Sequence, residues 1–139
     1  VFMTRLIGKD MRNVGFFDYK IINSIVKESG STPAEVVKLA TANMNVVISS
    51  RYHGLVFALS SNVPALAINY DKYYSVKNNG LLNNLFSDIT NYSVSISEIE
   101  TTLSKFKRIV NNRKKIATEL KWKNKKLIRK YENKIHQIN

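Results

Sequence analysis

Cysteine is absent from the 139 residues, which excludes disulfides, thiolate metal sites and cysteine nucleophiles together. Glycine and proline number only 5 and 2, too few for a collagen-like repeat or a low-complexity chain. No apolar run approaches the roughly 18–20 residues a membrane-spanning helix needs. Histidine occurs twice, at His53 and His136, too sparse for a local metal-ligand motif, so no metal site is expected. Gly-x-Gly-x-x-Gly, the Walker glycine loop and Gly-x-Ser-x-Gly are all missing. Asp71 and Asp88 are not spaced as a paired acid–base set. A hydrophobic fraction of 44% with 10% aromatics argues against disorder. A chain of this size buries roughly two thirds of its unfolded surface, so one domain, or a piece of a larger protein, is expected. It opens Val-Phe-Met-Thr-Arg, with no initiator methionine and no charged-then-apolar leader; Val1 is therefore expected to be a cut inside a longer protein.

Acidic residues are also few, 10 against 22 Lys and Arg, for a net charge of +12. The excess is not spread evenly. Residues 101–139 hold 13 Lys/Arg against Glu119 and Glu132, a net of +11, whereas residues 1–100 carry 9 basic and 8 acidic side chains. Any argument about polyanions therefore applies to the C-terminal segment alone.

Periodicity organises the rest. Phe2–Ile7 reads as a short strand. Phe17, Ile21, Ile22, Ile25 and Val26 read as a helix face ending at Gly30, although the isoleucine-rich stretch Tyr19–Val26 also fits a strand. Thr32-Pro33-Ala34-Glu35 is a helix start with a capping Thr, Pro at the first position and Glu three residues after the cap; Val36, Val37, Leu39 and Ala40 then form the expected buried stripe. Val46-Val47-Ile48 suits a strand buried on both faces. Ser49–Gly54 reads as a polar turn, Leu55–Ser61 as a helix broken by Asn62-Val63-Pro64, and Ala65–Ile68 as a second strand. Residues 45–69 thus spell a βαβ unit and a parallel sheet. From Ile99 the pattern turns to long helices. Ile99, Leu103, Phe106 and Val110 form one stripe, continued by Ala117, Leu120, Leu127, Tyr131 and Ile138 with gaps at Arg113, Asn124 and Lys134. The expectation is an α/β body over residues 1–96 with a basic amphipathic helical tail over 97–139.

In open parallel sheets ligands bind beyond the carboxyl ends of strands, where the next helix presents free N–H groups. The Ser49–Gly54 turn occupies that place, with two hydroxyls, a guanidinium, a phenol, an imidazole and a glycine in six residues. Arg51 with hydroxyls and helix N–H groups suits a phosphate or carboxylate, and the His53 imidazole suits giving or taking a proton, or supporting an anion. An Arg and a His in one polar turn also fit a plain surface cap. The second strand ends in Asn69-Tyr70-Asp71-Lys72, which adjoins the first turn if the two strands are neighbours. Lys72 then supplies a second positive charge, or is an ordinary surface lysine beside Asp71.

At these residues the sequence resembles the polysaccharide pyruvyl transferase family. The resemblance lies in Val47-Ile48-Ser49-Ser50-Arg51-Tyr52-His53-Gly54, then Phe57-Ala58-Leu59, Asn62-Val63-Pro64-Ala65 and Ile68-Asn69-Tyr70-Asp71-Lys72, with Thr32-Pro33-Ala34-Glu35 upstream. Asn62 stands where the family usually has Gly. The resemblance implies a Rossmann-like parallel sheet forming the C-terminal half of a GT-B-like two-domain enzyme, an N-terminal half facing it across a cleft. It implies transfer of a pyruvyl group from phosphoenolpyruvate to sugar hydroxyls, with a ketal as product, in bacterial surface polysaccharide synthesis. His53 would be the general acid. Arg51 and Lys72 would hold the donor, with Ser49, Ser50, Gly54, Asn69 and Tyr70 around it. Phosphoenolpyruvate is then a co-substrate, no further cofactor is expected, and the chain by itself is expected to be catalytically silent.

The alternatives left open are a nucleotide-sugar glycosyltransferase half with the same plan, and a non-catalytic binding or assembly module working through the basic tail. For Arg113–Lys134 a solvated or coiled-coil helix face comes first, then an anionic membrane surface reached by a protein in the cytoplasm, then nucleic acid. A saccharide acceptor carried on lipid would fit the second. The face left bare by an absent half leads to an expectation of self-association.

Overall fold

The structure, a computed structural model, describes residues 24 and 26–136. The expected strand Phe2–Ile7 and most of the following helix face lie outside the described residues. Helical residues 26–29 end at Gly30, whose φ of 68° and N–H bond to the Val26 carbonyl make it a left-handed cap. Helix α1 (Pro33–Ala42) starts on the expected capping box. Thr32 Oγ1 accepts from the Glu35 N–H at 3.3 Å, and Glu35 Oε2 accepts from the Thr32 N–H at 2.7 Å. Bonds from the Thr32 backbone and then its hydroxyl hold the Glu35 carboxyl below the usual range. Val36 and Val37 are buried, but Leu39 is 68% exposed, so the stripe is narrower than expected.

Strand β1 (Val47–Ser49), helix α2 (Tyr52–Ser60) and strand β2 (Ala65–Asn69) form the βαβ unit. β1 and β2 pair in parallel with Val47 opposite Ala65 and Ser49 opposite Ala67. A second crossover follows: helix α3 (Lys72–Asn83) and strand β3 (Ser93–Ser95), parallel to β2, complete the sheet order β1-β2-β3. The sequence pattern did not mark α3 or β3. α3 carries Asn78, Asn79, Gly80 and Asn83, poor helix formers, and β3 is three residues long. α3 begins because Asp71 caps it, its Oδ1 accepting from the Tyr74 N–H at 2.8 Å.

Asn62 adopts φ 62°, the left-handed conformation that glycine takes freely and asparagine better than most other residues. Its place in the α2–β2 turn is thus the one where the resembling family uses glycine.

A short 3₁₀ turn (Ile96–Thr101) leads into α4 (Thr102–Asn111) and α5 (Arg113–His136). The expected stripe holds in part: Leu120 is buried in the same core as Leu55, Leu59, Leu66 and Leu82, and Phe106 and Leu127 pack against it. Ile99, Leu103 and Tyr131, however, are 44%, 60% and 62% exposed, and Ile109 and Ile116 enter the core instead. Ile138 lies outside the described residues. Ile109 and Ile116 stand one position before the expected Val110 and Ala117, so the buried face is offset by one residue there. The gap at Asn124 is also filled productively: its Nδ2 donates to the Leu59 carbonyl at 2.8 Å and to Asn62 Oδ1 at 3.0 Å, closing the end of α2.

Leu120→Ala should therefore cost about 2–5 kcal/mol in urea unfolding, as for a fully buried leucine. Leu103→Ala should stay within about 0.5 kcal/mol, as for an exposed one. Equal effects would contradict this packing.

Candidate functional site

β2 and β3 end side by side, Asn69 opposite Ser95. Past these ends lies a cleft of about 280 Å³ lined by Asn69, Tyr70, Asp71, Lys72, Ser75 and Ser95. Its floor is a buried polar network. Asn69 Oδ1 accepts from Asn78 Nδ2 at 2.8 Å, and Asn69 Nδ2 donates to Ser93 Oγ at 2.8 Å and to Asn79 Oδ1 at 3.3 Å. Ser93 Oγ donates in turn to Asn79 Oδ1 at 2.8 Å. The Lys105 ammonium donates to the Ser93 carbonyl at 2.9 Å, so α4 is tied to the same strand. Asn78 Oδ1 is buried without a hydrogen-bond partner.

The other group of candidate residues sits at the end of β1. Ser49 is buried, and its Oγ both donates to the Arg51 carbonyl at 2.8 Å and accepts from the Arg51 N–H at 3.0 Å. That hydroxyl shapes the turn that presents Arg51. Ser50 is half-buried and Gly54 buried. The helix begins earlier than the sequence implied, so His53 lies in its first turn. Arg51 is the N-cap residue of α2 but provides no side-chain cap, and the first N–H groups of the helix have no carbonyl partner within it. His53 is exposed, its ring edge-on to Tyr52 at 5.7 Å between centroids.

Two tyrosines join the groups. Arg51 Nη1 donates to Tyr74 Oη at 3.0 Å, and the Tyr74 ring lies 4.4 Å from that of Tyr70, which lines the cleft. Among the predicted residues, the fold therefore gathers Asn69, Tyr70 and Lys72 around one cleft, with Arg51 one aromatic layer away. Ser49, Ser50, His53 and Gly54 belong to the neighbouring strand end and do not line it. Tyr74, Ser75, Asn78, Asn79, Ser93 and Ser95 were missed. Asp71 followed three residues later by a helical Tyr74 N–H is a cap spacing that marks the start of α3. The asparagine partners had no local signal.

The phenols titrate apart. Desolvation first, then the bond with Tyr74, pushes Tyr70 up to about 12. The bond from Tyr70, then that from Arg51, pulls Tyr74 below its ordinary value. Among the described residues no group of three or more His, Cys, Asp or Glu is placed to hold a metal ion.

Parallel strands end together at a polar cleft, with a guanidinium and an ammonium nearby, in a mixed α/β fold. The sequence model of polysaccharide pyruvyl transferase matches residues 3–72, about half the chain, and includes the ends of β1 and β2 but not β3. The chain belongs to the polysaccharide pyruvyl transferase family, a transferase family whose name describes pyruvyl transfer to polysaccharide. No curated protein and no solved structure matches the chain.

The tyrosine geometry has a measurable consequence. Because Tyr74 is lowered, its contribution is fully present above the ordinary value of 10.0 and lost as pH falls through its folded value. Tyr70 runs the other way: its contribution holds below 10.0 and is lost as pH rises towards about 12. Tyrosinate absorbance should show an early phase that disappears in Tyr74→Phe and moves to higher pH in Arg51→Ala. An early phase unmoved in both variants would refute the assignment.

Proposed function

We propose that the chain binds phosphoenolpyruvate at the carboxyl ends of its strands and carries the donor side of pyruvyl transfer to saccharide hydroxyls. The observation that supports this most is that Arg51, inside the family-matched segment, is held by Tyr74 beside the cleft of Asn69, Tyr70 and Lys72. Phosphoenolpyruvate carries a phosphate and a carboxylate. The cleft itself offers one cation, Lys72, and one carboxylate, Asp71, already engaged as a helix cap. A dianionic group needs a second positive charge, and in this reading Arg51, one aromatic layer from the cleft, supplies it. Ser50 and the Gly54 N–H, at the neighbouring strand end, add neutral donors, while Ser49 acts by fixing the turn and Asn69, whose amide donates to Ser93 and Asn79, by shaping the cleft floor.

In this reading His53 protonates the methylene carbon, whose π electrons form the new C–H bond and leave C2 with oxocarbenium character. A first saccharide hydroxyl adds to C2, and its proton returns to the imidazole. The phosphate then leaves with the electron pair of its C–O bond, stabilised by Arg51 and Lys72. A second hydroxyl adds to C2, and its proton departs with the phosphate. One donor and two hydroxyls give one ketal and one inorganic phosphate, with no oxidant or reductant in the balance. His53 is exposed and within reach of solvent-borne groups. A GT-B-like arrangement, in which a facing α/β half presents the saccharide, belongs to the same proposal and rests on the family resemblance.

The test is calorimetric titration at fixed salt with phosphoenolpyruvate, and with phosphate, pyruvate and UDP as controls. Phosphoenolpyruvate should bind more tightly than phosphate, and Arg51→Ala should weaken it by about two orders of magnitude, as for loss of one partner in a charged hydrogen bond. His53→Ala should leave binding nearly unchanged. Preference for UDP, or indifference to Arg51→Ala, would overturn the proposal.

A further inference from the structure

α5 has two faces with different fates. One packs on the body through Ile116, Leu120 and the half-buried Leu127. The opposite face carries Lys115, Thr118, Trp122, Lys125, Lys126 and Arg129, spaced three and four apart so that they stand in one row. All six are exposed, Trp122 at 62%. The ion pair described on this helix, Lys123 to Glu119 at 2.7 Å, lies off that row, and the row itself contains no acidic residue. Across Arg113–His136 ten Lys/Arg face only Glu119 and Glu132. Among the described residues no helix is long and apolar enough to cross a membrane.

A second feature opens beside the row. A groove of about 470 Å³ runs between the end of α3 and α5, with Phe86 and Leu127 as apolar walls and Trp122, Lys126 and Lys130 along α5. The Lys126 ammonium stands 5.3 Å from the Trp122 ring centroid. An amphipathic indole set among cations, next to a groove with apolar walls and cationic edges, matches the phosphate-and-ester layer of a lipid surface.

We propose that the outward face of α5 docks flat on a bilayer rich in anionic phospholipid, with Trp122 in the interfacial layer and a lipid headgroup phosphate in the groove against Lys126 and Lys130. The body lies on the far side of the helix and does not obstruct the contact. Pairing with a second copy would bring two strongly cationic rows together, which disfavours it. A nucleic acid would be tracked by a charged groove with several stacking aromatics, whereas this row is convex and has one. The proposal does not depend on the donor site.

Trp122 is the only tryptophan, so its fluorescence reports on this face directly. The full chain is titrated with vesicles of phosphatidylcholine alone or mixed with phosphatidylglycerol. Anionic vesicles should shift the emission to the blue and sediment the protein, and added salt should reverse both. Replacing Lys115, Lys125, Lys126 and Arg129 by Gln together should weaken partitioning by about two orders of magnitude or more, at about fivefold per cation. Trp122→Ala should weaken it by roughly tenfold. These side chains are exposed, so circular dichroism should show the fold intact. Equal binding to neutral vesicles, no binding to either, an unaffected four-fold variant, or tighter binding to single-stranded RNA than to anionic vesicles would each overturn the proposal.

Discussion

The Asn69 amide is buried at the last position of β2, and a buried amide must have its partners within the protein. They come from two other elements: Asn78 and Asn79 on α3, and Ser93 at the start of β3. That requirement decides the layout around it. It holds a helix of poor intrinsic propensity against the sheet, and it adds a three-residue strand to the sheet edge. Where the three elements meet, the strand ends leave a cleft rather than a filled core. An apolar residue at 69 would leave the Asn78 amide nitrogen without its partner, while Leu82 would still bury α3 against the core.

The C-terminal helices follow from a similar constraint at the other end of α2. The Leu59 carbonyl and Asn62 both need a donor, and Asn124 of α5 reaches them. Ile109, Ile116 and Leu120 close the core beside them. The segment expected to be a tail is thus built into the body along one face. Most of its cations stand exposed, because burying unpaired ammonium groups costs far more than leaving them in water, and the half-buried Lys123 is paired with Glu119 and the Leu85 carbonyl. One helix therefore completes the fold and carries a net +8 of the chain's +12.

At the site, the backbone and the side chains make separate contributions. Ser49 uses its hydroxyl to shape the turn, so Arg51 leaves the strand end in a defined direction. Tyr74 then receives the guanidinium, and Tyr70 stacks behind it. Arg51 and Lys72 are 21 positions apart in the chain, yet they flank one tyrosine pair because β1 and β2 are parallel neighbours. The family match covers Ser49, Arg51, Tyr70 and Lys72 of this arrangement and ends at Lys72, two residues before Tyr74.

The sequence by itself determined the local features: the Thr32–Glu35 cap, the Gly30 end, the β1–α2–β2 crossover, the absence of thiol chemistry, and the Arg51 to Gly54 motif at a strand end. Each depends on residues a few positions apart, where spacing and stereochemistry act directly. Tertiary structure alone decided that Leu39 and Leu103 stay outside, that Asn124 belongs inside, and that α3 and β3 form at all. It also decided that Arg51, and not His53, is tied to the cleft through Tyr74. These outcomes depend on contacts between residues distant in the chain, where a buried polar atom finds its partner only once the elements are packed.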